Sequence, residues 1–178
     1  MMGALGLLVV GLLAMLAEGA ATSFVPSWLC PDLPLLLVIG LALNLRGARA
    51  LLVAAVLGYA ADILSGALLG QHALLYVVTF GAASAANRSL ELRTALAQAT
   101  LAGVLTLLSG LLLSVLGSSL GGTLVVDLHF GLQLALQAVL SFVFAPLVCA
   151  LVEAVASRTG EEDAPRRSVP LPSGRRAI

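Results

Sequence analysis

The feature that most constrains this chain is a series of apolar runs too long for a water-soluble domain to hide. Gly3–Val25, Ala50–Leu69, Gln71–Ala86, Thr94–Leu116 and Phe130–Ala156 are almost wholly apolar, and a shorter run, Leu33–Leu45, follows Pro31-Asp32. A bilayer-crossing helix needs roughly 20 mostly apolar residues, with a range of about 17–25. Composition agrees. Of 178 residues, 60% are hydrophobic and 10% charged, against about 45–50% and about 25% in an ordinary soluble domain. So few charges cannot cover a water-facing surface, which excludes a soluble enzyme. The same apolar content excludes disorder for the body of the chain. A formal net charge of zero argues against nucleic acid as a partner and leaves membrane lipid. The expected fold class is an all-α integral membrane protein.

The breaks between runs predict six spans. Pro26-Ser27-Trp28 and Pro31 separate the first two, and a turn at Ser65–Gln71 separates the third from the fourth. Arg46 and Arg49 fall between spans two and three, Arg88 and Arg93 between four and five, and Arg158 with four further Arg after span six. These are all nine basic residues. Cytoplasmic loops carry the excess of Lys and Arg, so a six-helix transmembrane bundle with both N and C termini cytoplasmic puts every Arg on one side. Five spans would scatter them. Span one has no basic leader and is longer than the roughly 7–15 residues of a signal-peptide core, so it reads as an uncleaved span. Span two is short: thirteen residues rise about 20 Å against a core of about 30 Å. It crosses only if its ends extend through Cys30-Pro31-Asp32 and into the Arg loop, and a membrane-inserted hairpin is the alternative. Trp28 fits an interfacial anchor. Cys30 then lies at the outer face and Cys149 in the inner half of span six, too far apart to pair. Residues 1–156 form the six-span domain, and 157–178, with five Arg and three Pro, a disordered cytoplasmic tail.

Ionisable groups at membrane depth are costly and face the bundle interior. Asp62 is the outstanding case, about 18 Å along its span if the helix is counted from Ala50. Gly58 and Gly66 stand four residues either side, on the same helix face, where small residues admit a neighbouring helix. His72, Tyr76 and Ser65 are its candidate partners. The first reading is a packing hydrogen bond that orders the bundle, and the second a proton or ligand site. Glu18 sits on a small-residue face near the outer end of span one. Asp32, Asp127 and His129 fall in outer connections with ordinary loop roles, and Glu153 lies near the inner interface. Gln133 and Gln137, four apart on span six, are placed to hydrogen-bond across helices. Few polar residues from other spans converge on Asp62.

Enzyme signatures are absent: the chain has no H-E-x-x-H, no phosphate-binding Gly-rich loop with Lys and no C-x-x-C pair. A serine intramembrane protease would want Gly at the position of Ile63, and an aspartyl type needs two carboxylates in one site. No catalytic residue, cofactor or metal site is expected.

From Pro31 to Tyr76 the chain resembles the rod shape-determining MreD family. The resembling pieces are Pro31-Asp32-Leu33, Arg46-Gly47, Gly58-Tyr59-Ala60-Ala61-Asp62-Ile63-Leu64-Ser65-Gly66, and Leu69-Gly70-Gln71-His72-Ala73-Leu74. The resemblance implies a non-enzymatic inner-membrane subunit of the bacterial cell-elongation, peptidoglycan-synthesis complex. It would partner the bitopic protein MreC and, through it, RodA, a class B penicillin-binding protein and MreB filaments. It also implies a fold similar to the substrate-binding subunits of energy-coupling-factor transporters. A small-molecule-binding membrane subunit with Asp62 lining a cavity is therefore the rival expectation.

Overall fold

A computed structural model describes residues 2–24, 31–45, 47–66, 70–89, 94–119 and 128–158. Among them are six α-helices and no strand: α1 Met2–Ala21, α2 Leu33–Asn44, α3 Ala48–Ser65, α4 Gln71–Ser89, α5 Ala95–Ser119 and α6 Leu128–Arg158. Arg46, Arg93, Trp28, Cys30, Asp127 and the tail beyond Arg158 lie outside the described residues.

The short second helix is the centre of the fold. Every residue from Pro34 to Ala42 is buried, and α2 packs against all five other helices. A helix apolar on every side belongs inside protein. Its start is built locally: the Asp32 side chain accepts the Leu35 N–H at 2.9 Å, and Pro34 occupies the first turn, where its missing N–H costs no internal bond. Its end is tied to a neighbour by Asn44, whose Nδ2 donates to Gly40 O at 3.0 Å and to Cys149 O on α6 at 3.5 Å. Twelve residues rise about 18 Å, far short of the hydrocarbon core.

Among the described residues, three helices are long and apolar enough to cross a membrane: Ala48–Ser65, Ala95–Leu116 and Phe130–Ser157. Leu5–Ala21 and Leu33–Asn44 are shorter apolar helices, and α4 carries Gln71, His72, Thr79 and Asn87, which lower its hydropathy. Two expected spans are shorter than the apolar runs. α1 stops at Ala21 rather than Val25, and α3 stops at Ser65 rather than Leu69, because Gly66 takes a left-handed conformation at φ 64°.

Inter-helix bonds fix helix direction. Asn87 Nδ2 of α4 donates to Leu43 O at the end of α2 at 2.9 Å, and Gln71 Nε2 at the start of α4 donates to Leu113 O, late in α5, at 3.4 Å. With Asn44 meeting Cys149 late in α6, consecutive helices from α2 to α6 run antiparallel. α1 joins the same pattern, since its last turns share a cavity with the start of α2, the end of α3 and the start of α4. α1 buries Leu7, Gly11 and Met15 and turns Leu5, Val9, Leu13 and Leu16 outward, a helical stripe that makes one face the packing face. The other end of the bundle holds Arg49, in the first turn of α3, and Arg88, in the last turn of α4.

Candidate functional site

The site grows from the turn joining α3 to α4. Asp62 lies in the last turn of α3, with its side chain 1% exposed. Counting from Ala50 places it at depth, but the helix ends three residues later, so Asp62 sits beside the turn. There its carboxylate does the work of a cap. The first four N–H groups of a helix have no partner within it. Asp62 Oδ2 accepts from Gly70 N at 2.8 Å and Ala73 N at 3.3 Å, and Oδ1 accepts from His72 N at 2.8 Å. His72 Nδ1 lies 2.9 Å from Oδ1. A carboxylate can accept on both oxygens at once, and bonds to an ionised acceptor are about twice as strong as neutral ones. A residue eight positions upstream of Gly70 thus caps α4, and one side chain couples two helices.

Gly58 completes the joint one turn lower. A Cβ there would fall 2.5 Å from Ala73 Cα and 2.7 Å from His72 O. The two helices therefore meet backbone to backbone. Gly66 does not share this face: it lies past the end of α3, and with Gly70 (φ 97°) it supplies positive φ in the turn. Of the candidate partners of Asp62, the structure brings in His72. Ser65 instead donates to the Asp62 backbone carbonyl at 3.4 Å, and Tyr76 meets the His72 ring edge to face, with centroids 6.4 Å apart.

Polar groups do converge here from other helices, contrary to the sequence reading. A cavity of about 260 Å³ is lined by Glu18 and Thr22 after α1 enters the turn, Asp32 at the cap of α2, Ser65 of α3, and His72 and Tyr76 of α4. A second, of about 80 Å³, lies on the far side of Asp32 and His72 and is lined by Thr106 and Ser109 of α5 and Gln137 of α6. Ser109 and Gln137 lie more than two turns inside their helices. The two cavities share Asp32 and His72 in their linings. Asp32, read from the sequence as an ordinary loop residue, lines both cavities. It had a signal, an N-cap residue ahead of an apolar run with Pro in the first turn.

Among the described residues no group of three or more His, Cys, Asp or Glu is placed to hold a metal ion. Cys149 is a free, buried thiol. Arg49 and Arg88 lie at the opposite end, where a cavity of about 180 Å³ is lined by Gly47, Leu51, Phe80, Ser84, Asn87 and Arg88. Arg158 is the last residue of α6.

Compared with known proteins, residues 2–155 match the family model described as rod shape-determining protein MreD. No curated protein and no solved structure matches the chain.

Proposed function

The chain belongs to the rod shape-determining MreD family, and from that premise we propose that it is a non-enzymatic adaptor of the cell-elongation complex, crossing the bacterial inner membrane six times. Membership makes it a shape-determining structural membrane protein and part of the rod-shape complex. Its three long apolar helices fit that setting.

The single observation that carries the adaptor reading is the use of Asp62. Its carboxylate is occupied by three backbone amides and the His72 ring, so the most prominent buried charge serves to hold α3 against α4. A residue so engaged builds a shape for partners to recognise. Six spans with both termini cytoplasmic are supported by the alternating helix directions, which bring Arg49 and Arg88 to one end, and by the positions of the other seven Arg in the sequence. α2 crosses in this reading as a buried pillar flanked by longer helices. The partners are a bitopic MreC-like protein and, through it, a RodA-type glycosyltransferase, its class B penicillin-binding protein and MreB filaments.

The cavities lined by Asp32 and His72 favour a second reading, a small-molecule-binding transport subunit. Their size weighs against that. Ligand pockets run about 300–1,000 Å³, and the larger cavity is about 260 Å³. Crosslinked purification from native membranes separates the two. Recovery of elongation proteins is the expected result, and recovery of an ATPase module in their place would overturn the adaptor.

A further inference from the structure

We propose that the outward face of α3 is where two copies of this chain pair in the membrane, with their Tyr59 hydroxyls hydrogen-bonded to each other across a two-fold axis. α3 packs against α1, α2 and α4. Its remaining face carries Leu52, Val56, Tyr59 and Ile63, which are 67%, 40%, 52% and 59% exposed. Steps of four, three and four residues set them in one line along the helix. Three of the four suit lipid tails. Tyr59 does not.

Tyr59 lies eleven residues beyond Ala48 and six before Ser65. That is about 9 Å from the near end of a helix about 27 Å long. A helix of that length only matches the hydrocarbon core of about 30 Å, so Tyr59 stands inside the core. Side chains on a helix lean toward its N-terminus, which aims the phenol toward the middle of the bilayer and away from the nearer interface. Among the described residues the hydroxyl has no hydrogen-bond partner. Hydrocarbon offers none, and a polar group left unsatisfied there is costly. Whatever covers this face therefore brings a polar group to the depth of Tyr59.

A second copy does so at once. Two copies inserted the same way run their α3 helices parallel, and a two-fold axis along the bilayer normal sets each residue of the face opposite itself. Tyr59 then meets Tyr59 at equal depth. A phenol is both donor and acceptor, so one hydroxyl donates to the other. The flanking residues agree. With Tyr59 at heptad position d, Leu52 is also at d, and Val56 and Ile63 fall at a. β-branched residues at a with Leu at d favour two parallel strands, and left-handed crossings of this kind are the commonest between membrane helices. Leu5, Val9, Leu13 and Leu16 form a comparable outward stripe on α1. It contains no polar group, and lipid tails are as apolar as Leu, so lipid suffices there.

Disulfide trapping of the full chain in native membranes, in a C30S/C149A background, tests the pairing. V56C and I63C are expected to give a crosslinked dimer of this chain, and L13C, on the outward face of α1, to give none. Energy transfer between labelled chains in liposomes, followed as protein is diluted in lipid, measures the equilibrium. Y59F keeps the ring and loses the hydroxyl, and should weaken dimerisation by about threefold or more. No dimer at either α3 position, equal trapping at L13C, or capture of a different protein in place of a second copy overturns the proposal. So does a Y59F chain that dimerises as strongly as the unaltered one.

Discussion

At the scale of single residues, the joint between α3 and α4 rests on one carboxylate and one missing side chain. Asp62→Asn keeps a single acceptor oxygen and turns an NH₂ group toward backbone donors. A buried polar group left unsatisfied costs about 1–3 kcal/mol, so we expect D62N to lower the thermal midpoint of the detergent-solubilised protein, and D62A to lower it further. An unchanged midpoint in both variants would remove Asp62 from the packing. Gly58→Ala drives a methyl into the backbone of Ala73, and overpacking of this kind costs about 1–3 kcal/mol. Gly81→Ala is the matched control, since nothing lies within 4 Å of its added Cβ; it should be neutral or stabilising by up to about 1 kcal/mol through helix propensity. Equal melting of the two variants would contradict the close approach. Asp62 was legible in the sequence because an acid inside an apolar run stands out. His72 was among the partners the sequence offered; the remaining partners were not legible, because they are backbone amides of a turn, and any sequence supplies those.

At the scale of elements, the helices follow from the apolar runs, and their boundaries from residues that stop a helix. α2 shows what periodicity alone misses. Its run is too uniformly apolar to reveal a face, and its shortness reads as a difficulty for crossing a bilayer. The structure shows α2 buried on every side. Leu37, 1% exposed, should therefore be sensitive to truncation. Leu→Ala changes cost about 2–5 kcal/mol in water-soluble cores. In a bilayer the transfer part falls away, because lipid tails are as apolar as Leu, leaving on the order of 1–3 kcal/mol for the lost packing. Leu13→Ala, on the outward face of α1 at 59% exposure, should stay within about 0.5 kcal/mol. Comparable losses of thermal stability at both positions would mean that α2 is not the central pillar.

At the scale of the whole molecule, the nine Arg against nine acids conceal a polarised arrangement. Arg49 and Arg88 share one end of the bundle, while Glu18, Asp32 and Asp62 gather near the other. The sequence carried the Arg half of this pattern in its spacing along the chain. The gathering of acids arises only when the turns of α1 and α3 and the cap of α2 meet in space, so no linear spacing reports it. Reporter fusions after Arg49, Arg93 and Ile178 should read cytoplasm, and fusions after Gly70 and Gly122 should read the outer side; a cytoplasmic signal after Gly70 would break the six-span arrangement. The role in cell shape is open to a single test in the native host. Depletion of this protein should turn rod-shaped cells round while they go on growing, and re-expression of the full chain should restore the rods. Cells that keep their width and length on depletion, and instead lose uptake of a small solute, would contradict it.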